Sequence, residues 1–408
     1  MNWEILIDKP ALTRNLIDRL EEISSCLEND YTTLGKNIGL FGGKTGIALF
    51  FFYYSRFTKK ESHYDLAIQI LSDVVDDVNA GFDAHTLYAG LSGIGWIVEH
   101  LAQQKFIEAD TPDILKEIDP FVFDAMQGDI QQGNYEFLHG ALGTGVYFLN
   151  RLETLREDST GYLIRLVDGL DNISHKEKNS RIKWTSTFGY EREKTGFDLG
   201  VAHGIPGIIG FLTLAFSHGI HQEKISLLLN GAVSFLLDQS LDTAIYESHF
   251  PSRVGENVIH TASRLGWCYG DPGIGIILWL ASQKTGNTDW EKRSIDILEH
   301  SARRLDLGSN SVHDACLCHG TAGIAHIFNR MYHYTGIPVF KEQSIYWFDQ
   351  TLKQARFEDG CAGFKQWYGE NQFINKIDFL EGIAGIGLAL LSSIAHIEPC
   401  WDRCLLLS

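Results

Sequence analysis

One short signature, Gly-x-x-Gly opening an apolar run, occurs seven times in this chain of 408 residues. Its first glycines are Gly43, Gly90, Gly140, Gly204, Gly270, Gly320 and Gly382. A repeated unit of this kind cannot bury its apolar face alone and needs its neighbours. Seven units therefore imply one closed or stacked repeat domain over residues 1–408, where length alone would suggest two or three domains. The spacing between signatures runs from 47 to 66 residues. A unit near 50 residues fits two ordinary helices and two loops, and the longer units carry loop insertions.

Each signature reads as a loop that becomes a helix, as in Gly90-Leu-Ser-Gly93-Ile-Gly-Trp-Ile-Val. The residues that follow are apolar on every side, so the helix must be buried on every side. Between signatures lie amphipathic stretches such as Leu66-Ala-Ile-Gln-Ile-Leu-Ser-Asp-Val-Val-Asp-Asp-Val. The simplest all-α solution is a barrel of seven inner helices ringed by seven outer ones. Two segments, 176–198 and 242–265, break the rhythm and read as insertions; Trp184–Tyr190 has the composition of a strand. The uncharged stretch Leu199–Gln222 is long enough for a membrane span but holds three histidines and Pro206, and reads as a buried inner helix. Gly43-Lys44-Thr45 imitates the end of a phosphate-binding loop, yet the glycine that motif needs five residues earlier is Ile38.

A formal charge of −18 excludes nucleic acid as a partner. Seven cysteines in a long chain do not make a disulfide framework, and the Met-Asn-Trp-Glu start lacks the features of a signal peptide, which together suit a reducing cytoplasm.

With the signatures aligned on the first glycine, the preceding position holds Gly42, Ala89, His139, His203, Tyr269, His319 and Glu381. The position before that holds Phe41, Tyr88, Leu138, Ala202, Cys268, Cys318 and Leu380. In a closed ring these positions form a circle at one mouth of the barrel, where Cys268, Cys318 and His319 converge. Two thiolates and an imidazole suit Zn²⁺, one ion per chain, and three protein ligands leave a fourth position open, as in catalytic zinc sites. Cys316 and His139 are the alternatives for a fourth ligand. His203 is placed to act as acid or base. Arg264, four residues before Cys268, is placed to stabilise developing negative charge, and Tyr269 either donates a hydrogen bond or simply packs. Two sulfur ligands point to activation of a thiol, which a metal deprotonates and which can then attack an electron-poor alkene. The resulting enolate takes a proton on carbon, a task for a histidine.

Through Ala202-His203-Gly204-Ile-Pro-Gly, Trp267-Cys268-Tyr269-Gly270-Asp-Pro-Gly and Cys318-His319-Gly320-Thr-Ala-Gly, the chain resembles the lanthionine synthetase C-like family, the cyclases of class I lanthipeptide biosynthesis. The resemblance implies an α/α toroid with a central zinc on Cys268, Cys318 and His319. It implies that a Cys of a dehydrated precursor peptide, leader plus core, adds to dehydroalanine or dehydrobutyrine to close a thioether ring. It associates His203, Arg264 and Tyr269 with acid/base work and enolate stabilisation. A further acidic family position holds Glu136 here, where bacterial cyclases usually carry Asp. A dehydratase and an exporter are the partners the family implies. Competing readings are addition of a small thiol such as glutathione, a peptide-binding protein with structural zinc, and an α/α-barrel prenyltransferase, whose sixfold architecture fits poorly.

Overall fold

The computed structural model describes residues 3–186, 196–256, 258, 261–370 and 372–408. Among these, the helices in chain order are α1 (Pro10–Asp30), α2 (Lys44–Thr58), α3 (Glu61–Asn79), α4 (Leu91–Gln103), α5 (Thr111–Ile114), α6 (Ile118–Gln131), α7 (Ala141–Asn150), α8 (Arg156–Ile173), α9 (Ile205–Ser217), α10 (Gln222–Asp238), α11 (Thr243–Tyr246), α12 (Asp271–Thr285), α13 (Thr288–Ser301), α14 (Thr321–Thr335), α15 (Pro338–Gln354) and α16 (Ile383–Ile394). The first glycine of every signature is the N-cap of a helix: α2, α4, α7, α9, α12, α14 or α16. These are the inner helices, and the apolar runs that predicted them are buried almost residue for residue; ten of the thirteen residues of α9 are buried.

The signature glycines are needed for closeness more than for unusual dihedral angles. None of the seven inner helices has a side-chain cap. Before α2, α4, α7, α12, α14 and α16 the loop instead folds back and satisfies N–H groups of the first turn with its own carbonyls, seven residues upstream. Lys44 donates to Asn37 at 2.9 Å, Ala141 to Asn134 at 3.1 Å, Thr321 to Asp314 at 3.1 Å and Ile383 to Lys376 at 3.2 Å. That fold-back presses backbone onto the second glycine. A Cβ on Gly46, Gly143, Gly207, Gly273, Gly323 or Gly385 would overlap the carbonyl oxygen six residues earlier. Only Gly270 among the first glycines also has a positive φ, 139°.

The chain divides into two compact units, Met1–Ala84 with Leu305–Asp402 and His85–Arg304 with Arg403–Ser408. In the first unit α14, α16 and α2 pack side by side in that order, with α15 on α14 and α3 on α2. The amphipathic α1 packs against α16, so the first helix of the chain serves the last repeat. Trp3 Nε1–H donates to the Ser392 carbonyl at 2.9 Å and ties the N-terminal segment to the same helix. A linear stack of repeats would leave these ends apart. In the second unit α4, α7, α9 and α12 are successive neighbours, with α6, α8, α10 and α13 against them.

Three two-stranded antiparallel ribbons interrupt the helices. They are β1 (His175–Lys176) with β2 (Ile182–Lys183), β3 (Gly196–Asp198) with β4 (Arg253–Gly255), and β5 (Gln366–Trp367) with β6 (Phe373–Ile374). The strand expected at Trp184–Tyr190 is not found at Trp184–Ser186, and residues 187–190 lie outside the described residues. Trp184 is buried, and its indole N–H donates to the Leu170 carbonyl at 2.8 Å, so its apolar bulk serves the core beside α8. The two insertions are also not separate loops: Asp198 pairs with Arg253 across β3–β4, which ties one to the other.

Candidate active site

Within each unit, the position two before the first glycine is linked between neighbouring repeats through backbone at several places. In the second unit Tyr88 N–H donates to the Leu138 carbonyl at 3.0 Å, and Ala202 N–H to the Cys268 carbonyl at 3.3 Å. In the first unit Cys318 donates to Leu380 at 3.1 Å, and Leu380 to Phe41 at 3.0 Å. The equivalence of these positions, inferred from the aligned signatures, is thus a row of hydrogen bonds. The row joins the sixth repeat to the seventh and the seventh to the first.

Leu138 departs from this pattern, and its departure builds the chemistry of the second unit. Its N–H donates at 2.9 Å to Oε1 of Glu136, two residues earlier, and the His139 N–H donates to Oε2. The Glu136 carboxylate, only 2% exposed, also accepts from His203 Nδ1 at 2.6 Å. A carboxylate accepts this bond, so the ring nitrogen facing it carries the N–H, and Nε2 is the nitrogen that Glu136 does not engage. The Tyr269 ring lies 5.8 Å from the His203 ring and against Gly200, where a Cβ would strike it. Burial, with Asp198 and Cys268 adding negative charge, holds the Tyr269 phenol protonated far above its usual range, so it is a donor. Burial lowers the His139 pKa, with the neighbouring His203 acting in the same direction and Glu136 against them. Cys268 is buried one residue before Tyr269. Arg264 is half-buried; its carbonyl abuts Gly270, and its guanidinium makes no hydrogen bond or ion pair among the described residues.

In the first unit Cys318 and His319 precede α14 in the same way. Asp314 stands behind them. Its Oδ1 accepts from the Cys316 N–H at 3.0 Å, its Oδ2 accepts from the Trp367 N–H at 3.0 Å, and Oδ2 lies 3.8 Å from His319 Nε2. The ligand atoms of Asp314, Cys316 and His319 lie within 4.8 Å of one another. Burial, reinforced by Asp314, pushes the Cys316 thiol up to about 12, so it stays protonated beside His319. Glu381, at the equivalent position of the next repeat, is raised by burial and by Asp378.

A family model, "Lanthionine synthetase C-like protein", matches residues 36–406. The chain belongs to the lanthionine synthetase C-like family. It is similar to the nisin biosynthesis protein NisC of Lactococcus lactis subsp. lactis, with 25% identity over 346 residues, covering 79% of this chain and 77% of that protein. Nisin cyclase superposes on it with a TM-score of 0.74 at 19% identity, over 97% of this chain and 98% of that one. That likeness shows the fold, the α/α toroid expected from the seven signatures. Membership in the family makes the chain a lanthionine synthetase, an enzyme of the thioether-forming class. No helix among the described residues is long and apolar enough to cross a membrane, so Leu199–Gln222 is the buried inner helix α9 with its flanking turns.

Reading the sequence missed Asp198, Arg253 and Asp314. Asp198 is 3% exposed, its Oδ1 lies 3.8 Å from Arg253 Nε, and burial raises its pKa against that cation. A signal was present. Asp198, Arg264 and Asp314 all stand six residues before a first glycine, in the part of the loop that folds back over the helix.

Proposed function

We propose that the seven repeats act as one domain, a zinc-dependent cyclase. It joins a Cys thiol of a dehydrated precursor peptide to a dehydroalanine or dehydrobutyrine of the same peptide. Cys268, Cys318 and His319 would hold one Zn²⁺. The donor set fits that ion: two buried thiols and an imidazole, each two residues or fewer from the N-cap of an inner helix, where anionic groups are favoured. Asp314 stands behind His319, as a carboxylate commonly stands behind a metal-bound histidine. When bound, zinc supplies the Lewis acidity that keeps a thiol deprotonated near neutral pH.

The chain's own residues carry the rest. The thiolate sulfur bonds to the β-carbon of the alkene, whose π electrons move to the carbonyl and give an enolate. Tyr269 donates a hydrogen bond to that oxygen and Arg264 balances its charge. His203 takes the proton released by the thiol on Nε2 and delivers it to the α-carbon, so the ring closes without change of mass. Glu136 touches His203 and not the reacting atoms; it is a positioning residue. A dehydratase supplies the substrate and an exporter removes the product, in the cytoplasm.

The observation that carries this reading is the His203–Glu136 pair, a buried carboxylate on one ring nitrogen of a histidine at the mouth position. The test is to incubate zinc-loaded protein with a dehydrated, Cys-containing peptide and to count free thiols by alkylation. Thiols should disappear at constant peptide mass, and His203→Ala should abolish the loss. A product heavier by one added small thiol, or full turnover by His203→Ala, would overturn the reading.

A further inference from the structure

A second group of soft donors lies elsewhere in the first unit, where the cyclase reading assigns nothing. Cys26 and Asp30 are four residues apart in the last turn of α1, so their side chains share one face of the helix. Cys361 comes from the tight turn Gly360–Phe364, closed by Phe364 N–H donating to the Cys361 carbonyl at 2.9 Å. The Cys26 thiol donates to Asp30 Oδ2 at 3.4 Å, and the ligand atoms of all three residues lie within 4.8 Å of one another. A tetrahedral zinc with Zn–S bonds of about 2.3 Å needs sulfur donors about 3.8 Å apart, and oxygen slightly nearer, so these spacings suit a first coordination shell.

The turn is held where it is at some cost. Ala362, without being glycine, has φ 48°. Arg19 of α1 donates to the Ala362 carbonyl at 2.8 Å and lies over the Phe364 ring at 5.7 Å. These contacts fix the Cys361 backbone against the helix that carries the other two donors.

We propose that Cys26, Asp30 and Cys361 form a second metal site, for a thiophilic divalent cation such as Zn²⁺, that clamps α1 to the segment leading into the seventh signature. The site is independent of the cyclase reading and shares no residue with it. With three protein ligands the fourth position is left to solvent, and the site acts by pinning the N-terminal helix that completes the last repeat.

The test uses Cd²⁺ as probe on the full chain, purified anaerobically. A Cys268→Ala/Cys318→Ala chain removes the proposed catalytic ligands and should still bind one Cd²⁺ with a sulfur-to-cadmium charge-transfer band. Adding Cys26→Ser/Cys361→Ser should remove both the band and the ion. In the wild-type chain, alkylation mapped by mass spectrometry should find Cys26 and Cys361 protected when loaded and modified after chelation. Should the first variant misfold, this footprint decides alone. No protection of either thiol, a disulfide between them in the anaerobic protein, or cadmium retained by the quadruple variant would each overturn the proposal. Loss of cyclisation alone would not touch it.

Discussion

Replacing Glu136 by Gln keeps the shape of the side chain and an oxygen acceptor but removes the charge that meets His203 Nδ1 at 2.6 Å. A hydrogen bond to a charged group contributes about 1.5–3 kcal/mol, against about 1 for a neutral one. If the carboxylate acts by orienting and charge-balancing His203 during proton delivery, the lost difference of about 0.5–2 kcal/mol should lower the cyclisation rate about 2- to 30-fold, because each 1.36 kcal/mol is tenfold. The amide oxygen still accepts the Leu138 N–H, but the amide nitrogen faces the His139 N–H donor to donor, so stability should fall by about 1 kcal/mol. Glu136→Ala is the contrasting variant. It leaves the Leu138 and His139 N–H groups without their acceptor and should cost about 1–3 kcal/mol in a urea titration as well as the rate. The rate is read in single turnover by alkylating residual thiols of a dehydrated peptide. The decisive comparison is the double variant: Glu136→Gln in a His203→Ala background should cause no further loss. A Glu136→Gln enzyme within twofold of wild type, or additive losses in the double variant, would refute the claim that the carboxylate works through His203.

Three other outcomes follow from particular contacts. Cys268→Ser or Cys318→Ser should weaken zinc more than about 100-fold, read as metal per chain after dialysis. The helical circular dichroism should persist, because both residues join the inter-repeat row through backbone and not sulfur. Gly323→Ala sets a methyl against the Leu317 carbonyl, a backbone atom that yields only if the loop moves, and should cost about 1–3 kcal/mol by urea midpoint. His249 is half-buried, and burial, with Arg293, His300 and Arg304, lowers its pKa from 6.5 to about 4. Between those values the unfolded chain binds the extra proton, so stability contributed above pH 6.5 is lost as pH falls toward 4. The change should be about 1–2 kcal/mol after solvent screening, and His249→Gln should flatten it in urea titrations at pH 4.5 and 7.

The inner helices were legible because each begins with a glycine pair and continues as an all-round apolar run, a pattern with one physical solution. The seven outer helices were legible as amphipathic stretches, but their ownership was not. That α1 packs on α16 depends on contacts across nearly the whole chain, which local periodicity does not encode. The pairing of the two insertions through β3 and β4 was hidden for the same reason, since three residues on each side make too short a run to show a period of two. At the site, His203 and Tyr269 were found by their register in the signature and lie together. Glu136 was found only through the family resemblance, because a carboxylate four residues before a glycine says nothing until the loop folds back and aims it at His203. Asp314 escaped notice although it stands in the same register as Asp198 and Arg264.

The row of backbone hydrogen bonds explains how such different side chains can occupy equivalent positions. A link made from an N–H and a carbonyl is indifferent to what the residue carries, so Phe41, Tyr88, Ala202 and Leu380 serve it as well as Cys268 and Cys318 do. Chemistry can therefore be installed at the mouth of a repeat without a change in the scaffold beneath it. In the second unit this separation fails at the third repeat. At Leu138 the N–H leaves the row and turns to the Glu136 carboxylate, which spends its remaining capacity on the His139 N–H and the His203 ring. One inter-repeat link is exchanged for a buried charge with both of its oxygens engaged by donors. Such a carboxylate is stable where an unpaired one would not be, and it holds an imidazole in a single orientation. A scaffold alone would have no reason to give up that link. An enzyme that must place a proton on one carbon of a peptide has such a reason.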